Sequence, residues 1–314
     1  MWFWLSLIAL LFWSGSDLFS KIGSKPDDKY SHWKMSMAVG LIMGIHAAYE
    51  IFIGGVEISL DAILVYLPAS FMYILSMVIG YIALRFTELS ISSPICNSSG
   101  AIAAILCFVF LHEAQTVVQV IGILLVAAGV VGLGFAEMKE SEEARFERQK
   151  NAKVQYRKSW IALVLPILYC LIDALGTFFD SVILREEDTE TFLDTVFPRT
   201  LDEGVANVAY ELTWLVIGVI AAVYVLIIKK EKLQLRREGP KVVGGICETA
   251  GQFAYIYALG DTLHSGFAAA IISAYCAVSV LWSRIFLKEK LSWKHYAAIL
   301  IAISGIVLLG IYDG

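Results

Sequence analysis

Much of what would fix a functional class is missing from this chain of 314 residues. It has no Walker A phosphate loop, which excludes ATP hydrolysis as a driving force. It has no basic patch with interleaved aromatics, and its net charge is only −5, which excludes nucleic acid as a partner. Cysteine is scarce and odd in number. Cys96, Cys107, Cys170, Cys247 and Cys276 all sit inside apolar runs, at spacings that suit neither a disulfide framework nor a metal site. They read as small packing groups, and no metal or cofactor is expected. The opening stretch, MWFWLSLIALLFWSGSDLFS, lacks a basic n-region and a clear cleavage site, so it reads as a retained first helix. Low-complexity segments are absent too.

What is there is largely apolar. The chain is 58% hydrophobic with a mean hydropathy of +0.72, which places it among integral membrane proteins. Its organising feature is a repeat. Residues 269–310 lie without a gap on 93–134, a shift of 176. Phe110, Leu111 and Glu113 then fall on Phe286, Leu287 and Glu289, and Gly129, Leu133 and Gly134 on Gly305, Leu309 and Gly310. Each copy is an apolar run, a turn carrying L-x-E, and a second apolar run ending in glycines. Each run is about long enough to cross the roughly 30 Å hydrocarbon layer as a helix. A shift of 156 places Trp4 on Trp160, Trp13 on Tyr169 and Asp17 on Asp173.

The pattern predicts an all-α integral membrane protein with spans near 2–20, 33–53, 60–83, 89–111, 115–136, 159–183, 206–228, 241–259, 265–287 and 292–312. These ten transmembrane helices divide into a first five-helix repeat (1–137), a charged connecting segment that is helical in part (138–158), and a second five-helix repeat (159–314). An odd number of spans inserts the second repeat upside down, an arrangement whose site lies near the midplane between the halves. All but two of the 24 lysines and arginines fall in the odd-numbered connections; the exceptions are Arg185 and Arg199. Cytoplasmic loops carry such an excess, so a multi-pass protein of the cell membrane with both termini outside is expected.

The doubled five-helix unit, with LHEAQ at 111–115 and LKEKLS at 287–292 ahead of glycine-rich helices, resembles the EamA-like family of the drug/metabolite transporter superfamily. The resemblance covers nearly the whole chain. It implies two inverted five-helix repeats around a central cavity, lined mainly by the first, third, fourth, sixth, eighth and ninth helices, with the last helix of each half peripheral. It implies a transporter and not an enzyme, in a family whose substrates range over amino acids, nucleotide-derived metabolites, amines and drugs. The acidic connection at 185–207, with Phe192, Phe197 and Pro198, departs from the family's short loops.

Carboxylates inside a bilayer cost about 2.5–3.5 kcal/mol on insertion scales and face a cavity or a partner. Asp17 and Asp173 occupy equivalent positions in the two halves, each with an aromatic residue one turn earlier, Trp13 and Tyr169. Two roles suit them: lining the cavity, or capping a broken helix near Ser14-Gly15-Ser16. Asp180 lies two turns beyond Asp173. Glu248, Gln252 and Tyr255 form one polar stripe on the eighth span. Asn97 and Ser99 on the fourth span are matched by Ser273 and Tyr275 on the ninth; they suit hydrogen bonds either to substrate or between helices. Glu50 and Glu211 read as acids snorkelling near span ends, and His46 as a packed polar group. Pro94 and Pro166 are expected to bend their helices, and Glu113 and Glu289 to tie the hairpin turns.

The excess of intramembrane acid over base points to a secondary transporter for a small polar metabolite or drug, cationic or zwitterionic, working by alternating access with the acids available for proton coupling. The partners expected are the small-molecule substrate and the lipid bilayer, with a monomer as the functional unit. A lipid-headgroup flippase is the nearer alternative. An intramembrane aspartyl protease is the remoter one: YCLID at 169–173 has the required aspartate, but ALGD at 258–261 lacks G-x-G-D and lies at a span end.

Overall fold

The computed structural model describes residues 1–111, 116–157, 159–184, 201–259, 268 and 271–312. Every regular element among them is helical, as the bilayer demands of a chain whose backbone groups find no other partner there. The helices are α1 (Trp2–Gly23), α2 (Ser31–Tyr49), α3 (Leu60–Ala83), α4 (Leu89–Cys96), α5 (Ser99–Phe110), α6 (Val117–Lys139), α7 (Glu142–Gln149), α8 (Ile161–Leu184), α9 (Glu203–Ala222), α10 (Leu235–Leu259), α11 (Tyr275–Trp282) and α12 (Trp293–Tyr312). Wider π turns extend α2 over Glu50–Gly54, α9 over Val223–Ile228 and α11 over Ser283–Leu287.

Eight helical stretches among the described residues, α4 and α5 counted as one, are long and apolar enough to cross a membrane. Two further segments fall outside that measure. The apolar stretch Ile271–Leu287 is shorter, and α10 opens with Arg236, Arg237, Glu238 and Lys241 and carries Glu248 and Gln252 farther on. Two boundaries differ from the sequence reading. The helix expected as the eighth span begins at Leu235 and not near 241. The fourth is not one helix but two, α4 and α5. The break follows from Pro94 and Ser98. The Ser98 hydroxyl donates to the Pro94 carbonyl at 2.7 Å, and the Ser98 N–H turns back to Ile95, so a side chain takes over a main-chain bond. Pro166, by contrast, leaves α8 uninterrupted.

Packing joins α1 to α10, α3 to α8, α2 to α9 and α6 to α12, while α4 lies between α8 and α11. Small residues permit the closest approaches, as is usual where lipid supplies no hydrophobic drive between helices. A Cβ at Gly305 of α12 would sit 2.6 Å from the Gly122 carbonyl of α6, and one at Gly218 of α9 would sit 3.0 Å from Cα of Gly40 of α2. Met35, Val39, Tyr66, Ile74, Tyr81, Ile183, Tyr210 and Trp214 build the largest apolar core, among α2, α3, α8 and α9.

One end of the bundle is closed by buried charge. Lys21, at the end of α1, donates to the carbonyls of Leu84 (2.6 Å) and Thr87 and lies 4.3 Å over the Tyr156 ring. Glu289 accepts the Leu89 and Ser90 N–H groups at 3.2 and 3.0 Å, where an anion complements the helix start. The connecting segment folds inward: α7 is capped by Ser141, and Arg145 and Gln149 are buried. Arg148 reaches Glu88 at 2.7 Å, Glu140 at 2.8 Å and the Lys290 carbonyl at 2.7 Å. Burial pushes the Glu88 carboxyl up to about 7, against the pull of Arg148 and with the charge of Glu289 adding to the rise. Nearby, Asp28 holds Lys34 and Lys241 at 3.2 and 3.3 Å. Burial opposes its ionisation, but the two ammonium groups win and keep its pKa below the ordinary value.

Candidate functional site

Three helices deliver the intramembrane acids to one place. Asp17 comes from α1, Asp173 from α8 and Glu248 from α10, and the charges of both aspartates act on Glu248. All three remain half-buried. Neither aspartate caps a helix. Asp17 Oδ2 accepts the hydroxyls of Ser93 on α4 (2.5 Å) and Ser279 on α11 (2.7 Å). Asp173 accepts those of Ser76 on α3 (2.9 Å) and Ser99 on α5 (2.7 Å). Glu248 accepts Ser16 of α1. Hydroxyl donors satisfy a carboxylate without cancelling its charge. Among the described residues no cation acts on any of the three.

Aromatic rings wall this acidic space. Trp13 packs between Tyr255 and Tyr275, with centroids at 5.1 and 5.7 Å. Its indole rests on Gly251 of α10, where a Cβ would come within 2.8 Å of Nε1. Tyr169, the residue matched to Trp13, rests likewise on Gly80 of α3, where a Cβ would come within 2.8 Å of its ring. Tyr275 feels both aspartates and Glu248. Such faces suit a ligand cation, because ring quadrupoles attract positive charge.

The remaining sequence candidates are placed differently. Asn97, at the α4–α5 break, donates to the Ser273 carbonyl at 2.9 Å, so it ties two helices at positions matched by the repeat. Gln252 donates to Asn207 at 3.4 Å. Asp180 accepts the hydroxyls of Tyr66 at 2.5 Å and Tyr73 at 3.5 Å. Glu211 does not snorkel: it is wholly buried and lies 2.8 Å from His46 Nδ1, because α9 packs this face against α2 and not against the interface. Glu113, Asp261 and the 185–200 part of the long acidic connection lie outside the described residues. The serines and tyrosines that hold the acids were not singled out from sequence. A lone hydroxyl on an apolar helix carries no pattern; only Ser99, through its match to Tyr275, Tyr169, through its match to Trp13, and Ser16, in the Ser14-Gly15-Ser16 stretch, stood out.

The comparisons bear on this site through the fold. A solved structure described only as "Crystal structure of protein" aligns with a TM-score of 0.54, over 97% of this chain and 94% of that one, at 12% identity; at that identity the likeness is one of fold. No curated protein matches the chain. The model of the EamA-like transporter family matches residues 1–135 and 204–311, most of both predicted halves. This multi-pass membrane protein belongs to the EamA-like transporter family.

Proposed function

We propose that this transporter carries small organic cations or zwitterions by alternating access, between two inverted five-helix repeats, with Asp17, Asp173 and Glu248 as the cation-binding acids. The observation that carries the reading is the set of three carboxylates, drawn from α1, α8 and α10, with no counter-cation among the described residues and with Trp13, Tyr169, Tyr255 and Tyr275 around them. A buried charge is retained at a cost unless something pairs with it, and an arriving ammonium supplies the missing partner. The helix pairing supports the repeat: exchanging the halves turns the α1–α10 contact into the α3–α8 contact and maps α2–α9 and α6–α12 onto themselves.

The charge-closed end gathers the odd-numbered connections, so the acids are reached from the even-numbered side. By the lysine and arginine bias that side is the cell exterior. Thermal stability of the purified protein with tetraethylammonium, choline, free amino acids and nucleosides tests the substrate class, since a ligand of the native state raises apparent stability. Cations should stabilise the wild type, and Glu248→Gln should lose that shift. Stabilisation by neutral nucleosides alone would sink the reading.

A further inference from the structure

Away from the acidic space, α2 and α9 enclose a second set of ionisable groups. His46 Nδ1 lies 2.8 and 3.0 Å from the two oxygens of Glu211, and His46 Nε2 lies 3.7 Å from Glu50. Glu211 is 0% exposed and the His46 side chain 18%. Both ring nitrogens thus face carboxylates. A neutral imidazole has one N–H donor and an imidazolium has two, so when both acids are ionised only the charged ring serves both. The charged groups acting on His46 are Glu211 and Glu50 alone among the described residues. Tyr49 and Phe253 cover the ring at 6.2 and 5.3 Å, and Asn207 and Tyr210 flank Glu211 on α9.

This cluster sits on a continuous polar line. Glu50 opens the π turn that carries α2 to its even-numbered end, and such turns recur at functional sites. On the inner side Glu211 bonds to Asn207, and Asn207 accepts from Gln252, one turn from Glu248 on the same stripe. α2 and α9 pack closely beside the cluster: a Cβ at Gly44 would lie 2.6 Å from the Leu215 side chain, so a change in charge here is felt as a force between α2 and α9.

We propose that His46, Glu211 and Glu50 form a proton-binding site, distinct from the substrate acids, whose occupancy is relayed to α10 and sets the conformational balance of the transporter. It rests on the transport reading only for that last clause. Histidine is the side chain whose charge changes most readily near neutral pH, and losing its proton leaves a wholly buried carboxylate without a cation. That penalty is relieved by moving α9 against α2, and α10 moves with it.

Two measurements on the full-length protein in lipid nanodiscs test this. First, histidine-selective NMR, with His46→Gln assigning the signal, should show the His46 ring titrating between about pH 5 and 9; in Glu211→Gln that step should move by at least about one pH unit. A ring in one unchanging form, or the same titration in Glu211→Gln, overturns the proton site. Second, Cys96 is half-exposed while the other four cysteines are buried, so its rate of thiol labelling reports conformation. Divided by the rate of a small free thiol at the same pH, which removes the change in thiolate fraction, that rate should change by about threefold or more between pH 5.5 and 8 in the wild type and stay level in the double variant His46→Gln/Glu211→Gln, which keeps a side-chain hydrogen bond without charge. An equal pH response in both proteins overturns the coupling and leaves the pair as a helix tie. Neither result depends on cation binding, so tetraethylammonium stabilisation can fail independently.

Discussion

At the scale of single residues, the chemistry turns on what is absent beside each acid. Asp173 has three hydroxyl donors, Ser76, Ser99 and Tyr169, and Asp17 has two, but neither has a cation among the described residues. A proton and a cationic ligand can each complete such a carboxylate, so the two compete for it. Asp173→Asn is expected to abolish the pH dependence of tetraethylammonium uptake into vesicles between about pH 5.5 and 8, and Asp17→Asn to weaken it. Equal uptake by all three proteins across that range would remove both residues from the mechanism. The aspartate pair was legible in the sequence because the repeat placed one on the other. Their serine partners were not, since hydroxyls at 76, 93 and 279 acquire meaning only once α3, α4 and α11 stand around α1 and α8.

At the scale of elements, hydropathy sets where helices run and small residues set how closely they meet. Gly305 faces backbone of α6 at 2.6–2.7 Å from where its Cβ would lie, and backbone cannot rotate away. Gly305→Ala should therefore separate α12 from α6 and cost about 1–3 kcal/mol, read as a lower melting temperature in detergent; an unchanged melting temperature would show that the pair is looser than the structure has it. The repeat matched Gly129 with Gly305 but could not show that α6 and α12 pack on each other. Nor could hydropathy locate the α4–α5 break, because Ser98 competes with the main chain at a single carbonyl within an otherwise apolar run.

At the scale of the molecule, one end is held shut by Lys21, Glu88, Arg148 and Glu289. The Glu88 pKa is raised, from 4.5 to about 7, so the folded state binds that proton more tightly than the unfolded chain. Its contribution to stability is full below about pH 4.5 and is lost as pH rises through about 7. Glu88→Gln should accordingly flatten the fall in melting temperature between those pH values; a fall as steep as the wild type's would move its origin elsewhere. Asp28 has the opposite sign: its lowered pKa adds stability that persists at neutral pH and disappears as pH drops through its folded value. Orientation is tested in intact cells in a Cys96→Ser background. A cysteine at Glu57 should react with an impermeant thiol reagent and one at Leu233 should be protected. The reverse pattern would place both termini inside and leave the fold untouched.

Composition and periodicity alone determined that the chain lives in a membrane, where eight of the expected spans fall, and that the sequence repeats and carries acids within apolar stretches; the bilayer imposes length and apolarity locally, residue by residue. Only the tertiary structure decided which acids share a space, that Glu211 faces His46 and not the interface, and that residues 138–157 of the charged segment are folded into the closed end. Those outcomes depend on which helix faces which, and a helix carries the same hydropathy whichever neighbour it meets.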